Sequence, residues 1–450
     1  MKRAIVRTIL LLLLLTSGAF GQRLTNLHST SAGLSKYTSV ARQSPVLPQP
    51  TGKFGIGRVG FDWVDQKRPE PLSSQPDAHR ELMVYLWYPT APNRDNSARG
   101  TYLPGAKDIE RASGSTRIKE QIFGHFWPLV VSGEITSHAK ENAAPAKSKQ
   151  PFPVILFSHG GSWTSFGYTA LIEDLVSHGY VVAAIEHTYE AAAVVFADGR
   201  VISYSEENVR RMEKPPGASY DEMVENAMSW IRAVDDVFAA DQRFALDQLV
   251  QLNRGNNKAQ RFAGQLDLSN VAVMGHSMGG QASMRTCQLD ERIKACVSLD
   301  GGSVDGVLIR YPQAAAPRQP MLYIEVPFMP LSEERLRQLH QTKEEWTQDW
   351  RARVQTQLRQ CPGGSYYALL TSLQLSHLSF SDQPLLAAEG PTARQESLHH
   401  LQLIEKVIRT FTDKYLKGRS GHWIDQGSRT NGEVLVQHFG VSQHPPGAAH

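Results

Sequence analysis

The run Val271-Ala272-Val273-Met274-Gly275-His276-Ser277-Met278-Gly279-Gly280 constrains this chain more than any other segment. Its apolar start predicts a short buried strand, and the glycines then force a turn. Gln281 to Cys287 is compatible with a helix. A serine on so tight a strand–turn–helix junction projects its hydroxyl above the sheet. Gly275 and Gly279 flank Ser277 because a Cβ at either position would collide with the neighbouring strand or helix. The next amide, that of Met278, then points where charge develops on a carbonyl oxygen under attack. A bland alternative is a glycine-rich turn with Ser277 as a helix cap. It accounts for the pentapeptide but not for its strand-before, helix-after setting. The pattern implies acyl transfer through a serine ester.

The first residues look like an export signal. Lys2, Arg3 and Arg7 precede an apolar run from Ile9 to Leu15, and Ala19-Phe20-Gly21 has the small-x-small form of a cleavage site. The run is too short to span a membrane, and no lipobox cysteine follows it. Residues 1–21 are therefore expected to be a signal peptide, with a secreted or periplasmic product. The formal net charge is +3, and the three leader cations account for it without any leader acid. The mature chain is thus near neutral, which gives no footprint for nucleic acid. Three cysteines, Cys287, Cys296 and Cys361, lack metal-ligand spacing. An odd count excludes a full disulfide framework. Cys287 and Cys296 fall on a core helix and strand, where thiols usually act as small hydrophobes, although one disulfide would suit an oxidising compartment.

Residues 22–52 read as an extended or disordered lead. Gly55–Phe61 and Arg80–Pro89 read as antiparallel strands at a sheet edge. From Pro153 the rhythm becomes β–α–β. Strands are expected at 153–158, 181–185, 271–274, 295–299, 321–324 and 366–370. Helices are expected at 168–178, 220–240 and 395–416, the last stopped by Gly418. Continuous apolar strands alternating with helices indicate a mostly parallel sheet covered on both faces. Residues 53–418 form one catalytic domain on this reading. Residues 419–450 form a polar tail. The charged segment 331–360 is a helical insert, read as a solvated surface helix or, more sharply, as a lid.

Gly-x-Ser-x-Gly in this setting is the nucleophile elbow of α/β-hydrolases, where the partners follow in the order Ser, acid, His. Only a histidine after Ser277 then qualifies as base. His399 and His400 lie in the last helix, His340 in the insert, and His422 onward in the tail. His377 lies in a loop after a strand and before the last helix, where the base belongs. Two acids end strands beside the elbow, Asp300 and Glu325, and position alone leaves both open. Many α/β-hydrolases use the later strand, which favours Glu325. Ser158-His159-Gly160-Gly161 follows the first core strand, and such a turn supplies a second oxyanion donor. The Gly161 amide is the choice, paired with that of Met278.

Several segments together resemble the plasma and intracellular type II platelet-activating-factor acetylhydrolases. They are Val154–Gly161, Asp174–His187, Gly275–Gly280, Ser298–Asp300 and the loop His377–Asp382. The resemblance covers most of residues 54–418. It implies an α/β-hydrolase fold and a Ser277–Asp300–His377 triad, moving the acid from Glu325 to Asp300. It also supports Gly161 and Met278 as oxyanion donors, although family members carry larger residues there. It implies short or oxidised sn-2 acyl esters of phospholipids as substrates, with transient lipid-surface contact and no metal or organic cofactor. A general carboxylesterase or polyester hydrolase and a non-catalytic hydrolase-like binding protein are the alternatives.

Overall fold

The computed structural model describes residues 47–92, 100–112, 115–208, 220–255, 260–301, 316–327, 336–337, 340–426 and 432–440. The expected signal peptide, and the lead up to residue 46, lie outside the described residues.

A ten-stranded sheet forms the frame. In chain order its strands are β1 (Gly55–Pro69), β2 (His79–Thr90), β3 (Lys140–Glu141), β4 (Phe152–Ser158), β5 (Val181–Glu186), β6 (Leu266–His276), β7 (Ile293–Leu299), β8 (Met321–Glu325), β9 (Ser365–Leu370) and β10 (Val434–Phe439). They lie in the order β10-β9-β8-β7-β6-β4-β5-β2-β1-β3. The run from β5 through β9 is parallel. β1 and β2 add the expected antiparallel strands.

The apolar strands alternate strictly between two cores. Ile155, Phe157, Ala272, Met274, Ala295 and Val297 face one side. There they meet Leu171, Leu175, Ile404 and Ile408 of helices α1 (Thr169–Ser177) and α5 (Gly390–Lys417). Val154, Leu156, Val271, Val273 and Cys296 face the other. Here lie α2 (Tyr220–Asn253), α3 (Met278–Leu289) and α4 (Lys343–Leu358). Both faces are covered, so the central strands need no polar side chains. Gly418 ends α5 at φ 63°, as expected.

Three expectations change. The insert helix α4 is not a solvated helix. Trp346, Trp350, Val354 and Leu358 recur at helical spacing and are buried in the second core. Its charged residues occupy the other faces, which conceals that stripe in the sequence. The tail is not wholly polar, because Val434–Phe439 pairs antiparallel with β9 and buries Val434 and Val436. The end of the lead is fastened as well. Thr51 bonds the Asp174 carboxylate on α1, Gly52 donates to Ser177 Oγ, and Leu47 is buried.

Cys287 at the end of α3 and Cys296 in β7 form a disulfide across the helix–strand connection, while Cys361 is a buried thiol.

Candidate active site

β6 ends at His276, and the next residue turns the chain. Ser277 has φ 54° and ψ −121°, a conformation that side-chain-bearing residues rarely adopt. Two backbone bonds hold it there. Its N–H donates to the Leu299 carbonyl at 2.9 Å, and its carbonyl accepts from Gln281 at 3.1 Å. A Cβ on Gly275 would overlap the Gly279 carbonyl, and one on Gly279 would overlap the Ser158 carbonyl. Both glycines are therefore required by close approach, as the sequence implied.

Asp300 follows β7, also at positive φ, 48°, and its N–H is fixed by the Ile324 carbonyl. His377 starts a short 3-10 turn, His377–Phe380, capped by Ser376 and Ser379. Its Nδ1 lies 2.7 Å from Asp300 Oδ2. A carboxylate only accepts, so Nδ1 carries the proton and Nε2 becomes the acceptor of the neutral ring. Both residues are partly exposed. The His377 ring packs on that of His276, 4.4 Å between centroids, beside Ser277 in the chain.

Glu325 occupies a different environment. It is fully buried, accepts from Arg351 Nε of α4 at 2.9 Å and from Tyr367 Oη at 2.8 Å. Burial raises its pKa, and the Arg351 and Tyr367 bonds oppose the rise. The structure thus brings His377 to Asp300 and commits Glu325 to anchoring α4.

The Ser158–Trp163 turn lies over the start of α3. A Cβ on Gly160 would sit 3.3 Å from Ser277 Cβ, and one on Gly161 would overlap Met278 Sδ. Gly160 N–H donates to Tyr168 Oη and Ser162 N–H to the Glu190 carbonyl. Among the described residues nothing takes the N–H of Gly161 between them. Met278 is the first residue of α3, so its N–H has no partner within the helix. The Gly160–Gly161 turn and the start of α3 thus meet beside Ser277.

Several supporting residues were not legible in the sequence. Asp382 fastens the His377 loop. Its carboxylate accepts from Tyr102 Oη at 2.8 Å and from Thr169 and Ala170 N–H at 2.9 and 3.1 Å, at the start of α1. Tyr168 Oη lies 2.7 Å from His276 Nδ1 and also accepts from the Gly160 N–H, so it links the His276 ring to the turn. Burial, reinforced by the nearby His377, keeps His276 well below its ordinary pKa and hence neutral.

Beneath the turn lies a second Ser–His–Asp array. Ser158 Oγ is 2.9 Å from His187 Nε2, and His187 Nδ1 is 2.8 Å from Asp241 Oδ2. All three side chains are buried. Asp241 also accepts from Arg80 at 2.6 Å and pairs with Arg68 at 2.8 Å. Burial would raise the Asp241 carboxyl, but Arg80, His187 and Arg68 together hold it well below the usual range. Gln242 Nε2 donates to Ser158 Oγ at 2.8 Å, and Gln242 Oε1 accepts from Thr286 on α3. The array ties the ends of β4 and β5 to α2 and α3.

Comparison with known proteins follows the same line. The family model for platelet-activating factor acetylhydrolase, isoform II, matches residues 40–345. The chain belongs to this family. A platelet-activating factor acetylhydrolase of Cavia porcellus is 33% identical over 180 residues, covering 37% of this chain and 39% of that protein. One of Canis lupus familiaris is 25% identical over 288 residues, covering 60% of this chain and 59% of that protein. The chain thus spans from about two fifths to three fifths of the length of these two relatives. A ferulic acid esterase from Streptomyces cinnamoneus superposes with a TM-score of 0.59 at 23% identity, over 87% of this chain and 99% of that one. That likeness shows the α/β-hydrolase fold.

Proposed function

We propose that this acetylhydrolase-family protein is an exported serine esterase that cleaves short or oxidised sn-2 acyl esters of phospholipids. The observation that carries the reading is the strained Ser277 elbow, with the His377–Asp300 pair at the same edge of the sheet. In the first step His377 Nε2 takes the Ser277 proton as Oγ attacks the ester carbonyl. Asp300 holds the ring tautomer and stabilises the imidazolium. The amides of Gly161 and Met278 receive the developing oxyanion, at roughly 3 kcal/mol per donor in comparable sites. The imidazolium protonates the departing alcohol. Water, deprotonated by the same ring, then releases the carboxylic acid and restores Ser277.

The family relationship supports phospholipid esters as substrates. The Met278 side chain lies over Gly161 and crowds the turn, which favours small acyl groups. The basic and apolar leader supports export, as does the Cys287–Cys296 disulfide, because such bonds persist in oxidising compartments.

A fluorophosphonate probe tests the nucleophile, and a panel of phospholipids with graded sn-2 chains tests the substrate. Labelling should map to Ser277 by mass spectrometry, and kcat/KM should be highest for acetyl and short oxidised chains. Labelling elsewhere, or a preference for long chains, overturns the reading.

A further inference from the structure

The reaction scheme assigns no task to a cation beside the oxyanion turn. Arg117 opens a π-helix, Arg117–Phe123. This is a rare form that concentrates at functional sites. Ile118, Ile122 and Phe123 are buried and fix the segment against the core. The guanidinium lies 4.6 Å from the centroid of the Tyr204 ring, and Nη1 donates to Ser162 Oγ at 3.1 Å. Ser162 directly follows Gly160 and Gly161 and has φ 54°. Arg117 therefore reaches the turn one residue beyond the Gly161 amide.

Its partners set it apart. The secluded arginines elsewhere pair with carboxylates: Arg58 with Glu141, Arg80 with Asp241 and Glu70, and Arg351 with Glu325. Arg117 is half-buried and, among the described residues, has a hydroxyl and an aromatic face but no carboxylate. Burial lowers its pKa, with only Tyr204 opposing. Among the described residues, most of its N–H donors have no acceptor.

We propose that Arg117 binds the headgroup phosphate of a glycerophospholipid whose sn-2 carbonyl lies against the Gly161 and Met278 amides. This rests on the esterase reading above. Phosphorus and the sn-2 carbonyl carbon are only a few bonds apart, so one substrate reaches both. A guanidinium fork matches two phosphate oxygens, and its stacking on Tyr204 holds the fork in place.

The test compares the wild type with Arg117→Gln and Arg117→Lys on two short-chain esters at monomeric concentration. One is dibutyroyl phosphatidylcholine, and the other is the diacylglycerol lacking its phosphate. Arg117→Gln should lower kcat/KM for the phospholipid about 10- to 100-fold more than for the diacylglycerol, chiefly through KM, as expected for a charge-assisted contact. Arg117→Lys should recover part of the loss, because it keeps the charge without the fork. Glycerophosphocholine should compete with aryl-ester hydrolysis by the wild type and not by Arg117→Gln. Equal losses on both esters would mean that Arg117 only supports the turn, and they overturn the proposal. So does the absence of any competition. If the wild type hydrolyses no ester, the esterase reading fails instead. Calorimetric binding of glycerophosphocholine to the wild type and Arg117→Gln then still decides the phosphate site.

Discussion

The two Ser–His–Asp arrays touch the same turn and differ in everything except residue type. Ser277, His377 and Asp300 come from three connections at the carboxyl edge of the sheet. Two of the three sit at positive φ, and His377 and Asp300 are partly exposed. Ser158, His187 and Asp241 come from two strand ends and a helix, and all are buried. The difference lies in spare capacity. In the outer array the Asp300 bond leaves His377 Nε2 as an acceptor for a proton. In the inner array Nε2 already receives the Ser158 hydroxyl, Ser158 Oγ accepts from Gln242, and Asp241 is occupied by two arginines. Protonating His187 would place another buried cation beside Arg80 and Arg68. Burial lowers its pKa, the Asp241 bond opposes this, and the arginines add to the lowering. The two arrays thus share their residue types and differ in their surroundings. Exposure, backbone strain and unmatched hydrogen-bonding capacity set the outer one apart.

The comparison breaks most readily at the two serines. Ser277→Ala should lower kcat for p-nitrophenyl acetate by about 10⁴-fold or more with an unchanged melting temperature, the scale seen when a triad nucleophile is removed. Ser158→Ala should retain most of kcat and instead lose about 1–3 kcal/mol of stability in urea, because His187 Nε2 and one N–H of Gln242 lose their partner. A large kcat loss in Ser158→Ala at full stability would erase the distinction. The acids sharpen it. Asp300→Asn should cost about 10³- to 10⁴-fold in kcat through the wrong tautomer of His377. Asp241→Asn should act on folding, by about 3–5 kcal/mol, since Arg80 and Arg68 lose a buried counter-charge. Glu325→Gln should leave kcat within about tenfold of the wild type, because its carboxylate serves Arg351 and Tyr367. A severe loss in Glu325→Gln with an active Asp300→Asn would reverse the assignment of the acid.

The outer array was legible because each member carries a local signature. Ser277 has its glycines and flanking strand, Asp300 ends an apolar strand, and His377 occupies the only suitable loop after the elbow. The choice between Asp300 and Glu325 was not legible from position. Both end adjacent parallel strands, and only the Arg351 and Tyr367 bonds separate them. The inner array had no signature. Its members stand far apart in the chain, and the order rule for the base set His187 aside as a candidate. The order rule applies to the exposed site alone, where His377 meets Asp300. β10 was missed because six residues in a polar tail offer too short a period to read, though Val434-Leu435-Val436 held the alternation. α4 was misread because Trp346, Trp350, Val354 and Leu358 are diluted by charged residues between them.

The smallest effect tests the inner array through pH. In the unfolded chain His187 titrates near the ordinary value of about 6.5. In the folded protein its pKa is lowered, so it stays neutral as the pH falls through that value. The unfolded state then binds a proton that the native state refuses. Stability from His187 is present above about pH 6.5 and is lost as pH falls toward the folded pKa, at up to about 1.4 kcal/mol per unit. His159, pushed down to about 3 by burial and the neighbouring His187, has the same sign. Glu186 and Glu190, pushed up to about 7 by burial, have the opposite sign, because the native state holds their protons between the ordinary carboxyl range and 7. Total stability therefore does not isolate His187, but a difference between variants does. His187→Gln should be less stable than the wild type at neutral pH, and the gap should narrow as the pH falls from about 7 to about 5. Urea unfolding of both proteins at each pH measures the gap. A constant gap would mean that His187 protonates in the folded state, and the inner array would then have the spare capacity that its hydrogen bonds deny it.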